Sequence, residues 1–211
     1  MKEIIFRVIT SACLIIILYT SYKYNNFFFV LLGILFALSL YEYSNLIFKI
    51  EKKRAKRTFY ITLATFYLVF VIFFIFLNFS EIKNIFFYFI IICISSDIGG
   101  LIVGKILKGK KLTKISPNKT VSGFFGSFVF SFLLMISLFD YMTVTSLILY
   151  IFTFSVCLLS QIGDIFFSYL KRLAKVKDTG KILPGHGGIL DRIDGIIISV
   201  PINILIYTIS L

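Results

Sequence analysis

Five carboxylates in this 211-residue chain stand where chemistry could use them: Asp97, Asp164, Asp178, Asp191 and Asp194, half of the 10 acidic residues present. All lie beside two basic stretches, residues 105–120 and 171–192, which hold 12 of the 22 Lys and Arg. Asp97 precedes Lys105, and Asp164 precedes Lys171, inside long apolar runs. On a helix they therefore sit about 12 Å and about 10 Å deeper than those basic ends. An ionisable group at such depth costs on the order of 2.5 to 3.5 kcal/mol. Asp191 and Asp194 are predicted to share one helix face, with Arg192 between them. Carboxylates are hard oxygen ligands for Mg²⁺, and Lys and Arg bind phosphate. Together they are what the reaction of a nucleotide polyphosphate requires.

Glycine is dense in the second stretch, at Gly180, Gly185, Gly187, Gly188 and Gly195. Such a loop can turn backbone N–H groups toward phosphate. It is neither a Walker A loop nor a dinucleotide fingerprint following a strand. His186, the only histidine, falls within Pro184-Gly185-His186-Gly187-Gly188, where little side-chain core surrounds it, and joins the candidate residues. Glu42 stands close enough to Lys49 to snorkel to the membrane surface and is read as solvated.

The elements that must position these groups follow from composition. The chain is 59% apolar and 15% charged, with a mean hydropathy of +0.98, whereas a soluble domain carries about 25% charged residues. A cytosolic enzyme, a disulfide-stapled secreted domain and a disordered tail are excluded together. Crossing the hydrocarbon core takes about 20 apolar residues as a helix. Seven such runs are predicted, near residues 4–20, 27–48, 59–79, 82–104, 121–139, 143–170 and 189–211. The expected fold is all-α, a polytopic membrane helix bundle of about seven transmembrane helices in a single domain over residues 1–211.

Charge placement sets the expected orientation. Lys2 and Arg7, residues 49–58, residues 105–120 and residues 171–192 hold every basic residue except Lys23 and Lys83. Basic and non-basic connections alternate without exception, which puts the N-terminus in the cytoplasm and the C-terminus outside. The net charge of +12 is thereby explained by topology, and no nucleic-acid partner is expected. The first run lacks a small-x-small cleavage site and is read as a retained span. Cys13, Cys93 and Cys157 have no metal-type spacing and read as small buried hydrophobes. Gly100 and Gly104 have the spacing of a close helix crossing.

A longer pattern joins these residues. Ser168, Leu170-Lys171-Arg172, Lys177-Asp178, Gly180 and the run Leu183-Pro184-Gly185-His186-Gly187-Gly188-Ile189-Leu190-Asp191-Arg192-Ile193-Asp194 resemble the signature of the phosphatidate cytidylyltransferase (CDP-diacylglycerol synthase) family. Ser116-Pro117-Asn118-Lys119-Thr120 resembles that family's Ser-Pro-Lys-Lys-Thr segment, and Gly163-Asp164 its Gly-Asp pair. Where the family segment continues with Trp-Glu-Gly, this chain has Val121-Ser122-Gly123. The similarity covers roughly residues 90–211, the expected catalytic part.

The resemblance implies transfer of a cytidylyl group from CTP to phosphatidic acid, giving CDP-diacylglycerol and pyrophosphate, on the cytoplasmic side of a bacterial-type inner membrane. It implies Mg²⁺, with or without a second cation, held by Asp164 and Asp191 with Asp97 and Asp194 as further ligands. Ser116, Lys119 and Thr120 would bind phosphate. Lys171, Arg172, Lys177 and Arg192 would bind the triphosphate or the lipid phosphate, with Asp178 beside them and His186 orienting phosphate. A homodimer is compatible with so large an apolar surface. Two other readings stay open at the level of sequence: a CTP-dependent lipid transferase of the polyprenol kinase type, and an ion-coupled transporter using Asp97 and Asp164. Clustering of the acids toward one membrane face speaks against transport.

Overall fold

A computed structural model describes the chain apart from residues 1, 114, 117, 118, 140–145, 183–186 and 211, and apart from the side chains of residues 2–8 and 146. His186 is therefore outside the described residues. Helices account for nearly all of the rest: α1 Lys2–Lys23, α2 Asn25–Ile50, α3 Arg54–Leu107, α4 Val121–Leu138, α5 Ser146–Leu173, α6 Leu190–Ile193 and α7 Ile196–Ser210. Long apolar helices α2, α3, α4 and α5 suffice in length and composition to cross a membrane, and α1 and α7 carry shorter apolar stretches. The all-α membrane architecture is as expected.

Two boundaries differ from the sequence reading. The runs near 59–79 and 82–104 belong to one continuous 54-residue helix, α3. Neither Gly nor Pro occurs between Arg54 and Ile98, so nothing breaks the backbone hydrogen-bond ladder. The polar belt Asn78, Ser80, Glu81, Lys83 and Asn84 marks the change of run without ending the helix, and Asn78 Nδ2 folds back to donate to the Phe74 carbonyl at 2.9 Å. The run near 189–211 is instead divided. One turn of helix, α6, ends at Ile193, and α7 begins at Ile196. Asp191 and Asp194 therefore do not share a continuous helix face, a correction forced by the turn at Asp194-Gly195.

The chain falls into two compact units. Unit 1 comprises residues 1–80 and 170–193. Its core includes Phe28 stacked on Phe79 with ring centroids 4.6 Å apart, and the buried Leu46, Ile47, Ala174, Ile189 and Leu190. Unit 2 comprises residues 81–169 and 194–211. Phe89, Ile92, Met135, Leu149, Val156, Val200 and Ile204 are almost fully buried there. Tyr88 and Thr153 share a hydroxyl hydrogen bond of 2.6 Å inside that core, which satisfies two polar groups that burial would otherwise penalise. Large side chains such as Phe59, Phe66 and Phe73 of α3 point outward, as lipid-facing residues should.

Candidate active site

In unit 2 the site is built on a close helix crossing. A Cβ on Gly99 would meet the Gly126 carbonyl oxygen at 2.6 Å, and one on Gly123 would meet the Gly100 oxygen at 2.7 Å. The small residues of α3 and α4 thus bring the two backbones together. Between these helices the two ends of the connection pair antiparallel, Lys111 with Thr120. Leu112 N donates to the Lys119 carbonyl at 2.8 Å and Val121 N to the Lys110 carbonyl at 2.9 Å. Thr120, in extended conformation, caps α4 by accepting from Gly123 N at 3.1 Å. This pairing fixes Lys119 one residue before the cap.

A cavity of about 570 Å³ results, lined among others by Asp97, Ser116, Lys119, Thr120, Gln161 and Asp164. Lys119 Nζ donates to Asp164 Oδ2 at 2.6 Å, while Asp164 Oδ1 is buried without a hydrogen-bond partner. A buried acceptor without a partner is costly. The turn before α7 packs against this aspartate: a Cβ on Gly195 would lie 3.0 Å from Asp164 Oδ1, and Gly195 N donates to Asp194 Oδ1 at 3.0 Å. Cationic, hydroxylic and carboxylate groups thus converge in one concavity.

Unit 1 carries the second acid–base pair. Lys171 Nζ donates to Asp191 Oδ1 at 2.7 Å. The other oxygen, Oδ2, accepts from Thr179 N at 2.8 Å and Gly188 N at 3.1 Å, while Thr179 Oγ1, whose one proton goes to the nearer Glu42, lies 3.0 Å away. Burial pushes the Asp191 carboxyl up, but the Lys171 ammonium and the two backbone N–H groups outweigh it and hold the group below the usual carboxylate range. Asp191 is accordingly a well-fixed carboxylate anion.

The expected residues are thus brought together in two sets, Asp97, Ser116, Lys119, Thr120 and Asp164 lining one cavity, and Lys171 and Asp191 forming a pair. Asp178, Lys177, Arg172 and Arg192 are exposed, and Asp178 packs near Gly187, where a Cβ would meet its own at 3.3 Å. Among the described residues no three of His, Cys, Asp or Glu gather as a metal-binding group. A Mg²⁺ ion needs only one or two carboxylates when substrate phosphates complete its shell. Asp164, with an unpartnered oxygen, and Asp97 on the same cavity fit that requirement.

Glu42 was misjudged from sequence and Gln161 missed. Glu42 is 1% exposed instead of solvated. Its carboxylate accepts from Thr179 Oγ1 at 2.7 Å, Leu190 N at 2.9 Å and Ile189 N at 3.1 Å. A Cβ on Gly180 or Gly188 would fall on Glu42, so those glycines make room for a carboxylate of this chain. Ile189 and Leu190 donate to Glu42 and Gly188 donates to Asp191; these N–H groups are not left for phosphate. The signal was present: Glu42 precedes Lys49 by the same spacing that separates Asp164 from Lys171. Gln161, 6% exposed, lies one turn before Asp164 on α5 and had no comparable signal.

Comparison with known proteins places this architecture. The cytidylyltransferase family matches residues 1–210. A phosphatidate cytidylyltransferase of Rickettsia bellii (strain RML369-C) is 41% identical over 139 residues, covering 61% of this chain and 60% of the relative. That of Bacillus subtilis (strain 168) is 41% identical over 133 residues, covering 58% and 49%. One from Helicobacter pylori (strain J99 / ATCC 700824) is 35% identical over 140 residues, covering 65% and 52%. The chain spans about half to three-fifths of the length of these curated relatives. Since the family match runs over nearly every residue, the chain belongs to the cytidylyltransferase family.

Proposed function

We propose that this protein is a CTP:phosphatidate cytidylyltransferase, moving CMP from CTP to phosphatidic acid with release of pyrophosphate. The observation that carries the reading is the cavity in which Lys119 meets Asp164 at 2.6 Å while the second oxygen of that aspartate has no partner. It sets a cation for phosphate beside an anion for a hard metal. Membership in the family and the names of the relatives support the same reaction.

The chemistry is a displacement at phosphorus. An oxygen of the phosphatidate monoester bonds to the α-phosphorus of CTP, and the bond from that phosphorus to the oxygen bridging to the β-phosphorus breaks. The nucleophile is already anionic at neutral pH, so the protein's task is positioning and charge neutralisation. Lys119 and the hydroxyls of Ser116 and Thr120 would hold phosphate oxygens. Thr120 accepts from Gly123 N and shares a hydroxyl hydrogen bond of 3.0 Å with Ser122, a bond its O–H would exchange for phosphate. Asp164 and Asp97 would hold Mg²⁺, which supplies neutralisation of the triphosphate. Lys171 and Asp191 are assigned to the same reaction on the strength of the signature they belong to. The basic connections support a site reached from the cytoplasm, in a bacterial-type inner membrane, with the N-terminus inside and the C-terminus outside.

The test is incubation of purified protein with phosphatidate, Mg²⁺ and CTP labelled at the α- or the γ-phosphate. Label from the α-position should enter the lipid phase and label from the γ-position should leave as pyrophosphate. Transfer of the γ-label to an alcohol would instead indicate a kinase, and no lipid label from either would refute the assignment.

A further inference from the structure

Glu42 lies far in sequence from the loop it binds, yet it is the most buried carboxylate of unit 1 among the described residues. Three successive backbone N–H groups of that loop are divided between two acids. Gly188 N donates to Asp191 at 3.1 Å, whereas Ile189 N and Leu190 N donate to Glu42 at 3.1 and 2.9 Å. Thr179 joins the two, with its hydroxyl 2.7 Å from Glu42 and 3.0 Å from Asp191 and its N–H donated to Asp191 at 2.8 Å. Both ends of the loop are therefore tied to one side chain of α2. Gly180 and Gly188 lack the Cβ atoms that would keep Glu42 out.

We propose that Glu42 is a positioning residue for cytidylyl transfer, clamping Thr179 against Ile189 and Leu190 so that Asp191 is presented to the reaction in one orientation. Glu42 itself faces the donors of Thr179, Ile189 and Leu190. The inference rests on the functional reading of Asp191 given above. Chemistry explains why a carboxylate is required. The Ile189 and Leu190 N–H groups address different oxygens, Oε1 and Oε2, so an amide would set an N–H₂ donor against one of them. Aspartate preserves both acceptors but is one methylene shorter.

The experiment compares wild type, Glu42→Gln, Glu42→Asp and Thr179→Val in lipid nanodiscs, with steady-state kinetics and hydrogen exchange of the segment around residues 176–191. Glu42→Gln should lower kcat by about tenfold or more, the range seen when a group orienting a reactive carboxylate is lost. KM for phosphatidate and CTP should stay within about twofold. Exchange should quicken in the loop while the helices of unit 1 keep their protection, and Glu42→Asp should recover part of both losses. Should Glu42→Gln fail to insert, Glu42→Asp and Thr179→Val must still show intermediate kcat losses matched to loop exchange. Near-normal kcat in Glu42→Gln, or a loss that follows exchange spread evenly over unit 1 with no recovery in Glu42→Asp, would overturn the proposal. A wild-type chain that transfers no label overturns the functional reading instead, and the exchange data then still decide whether Glu42 clamps the loop.

Discussion

Removing the Lys119–Asp164 pair one partner at a time, and then both at once, separates its structural from its chemical role. The side chains are 28% and 16% exposed, so the pair lies between a surface bridge, worth about 0–1 kcal/mol, and a buried one, whose disruption costs about 3–5 kcal/mol. Lys119→Met leaves Asp164 with an unpartnered Oδ1 and no ammonium at Oδ2. Asp164→Asn leaves the ammonium without its anion. Each single substitution should therefore cost about 2 kcal/mol, or about 4–8 °C in thermal midpoint for a chain of this size. Lys119→Met/Asp164→Asn buries no uncompensated charge and should recover about half of the summed loss, a coupling of about 1–2 kcal/mol. The assay is heating of detergent-solubilised protein followed by size-exclusion measurement of the surviving fraction, with label transfer recorded in parallel. All three variants should be inactive, because cation and anion are each needed by the substrates. Strictly additive midpoint losses would refute the coupling, and an active double variant would refute the chemical role.

Acidity tests the Lys171–Asp191 pair. Because the folded Asp191 carboxyl lies below its ordinary value, its stabilising contribution is complete above an unfolded pKa of about 3.9 and is lost as pH falls through the lower folded value. In Lys171→Met burial is opposed only by N–H groups, so the acid loss of thermal stability should shrink while the acid limb of activity moves to higher pH; an unmoved limb would contradict the pairing. Gly126→Ala should push α3 and α4 apart, since its Cβ would lie 2.9 Å from the Gly99 oxygen and closer still to Val103. A loss of about 1–3 kcal/mol is expected, visible as a lowered thermal midpoint. Chelation of divalent ions should abolish transfer without lowering that midpoint, because Lys119 and Lys171 already neutralise Asp164 and Asp191; unfolding on chelation would show that the metal is structural.

Composition and charge spacing were enough to read the helical membrane class, since lipid admits few alternatives to a run of about 20 apolar residues in a helix. The chemistry of the candidate residues was legible for a related reason: a carboxylate or a lysine placed in an apolar run costs free energy that some partner must offset. Partner identity was not legible. Lys119 is 45 residues from Asp164, Glu42 is 137 from Thr179, and no local spacing encodes such pairs. Local chemistry also misled in places, because the glycines around residue 188 are as consistent with an open phosphate loop as with a loop closed on a buried glutamate. Tertiary packing decided between them by delivering α2 to the loop, so that Glu42 takes the acceptor role expected of phosphate. It likewise turned Asp191 and Asp194 onto separate elements at Gly195, where α5 comes too close for any side chain. The sequence determined which groups must find partners; only the folded chain, by setting long-range distances, decided which partners they found.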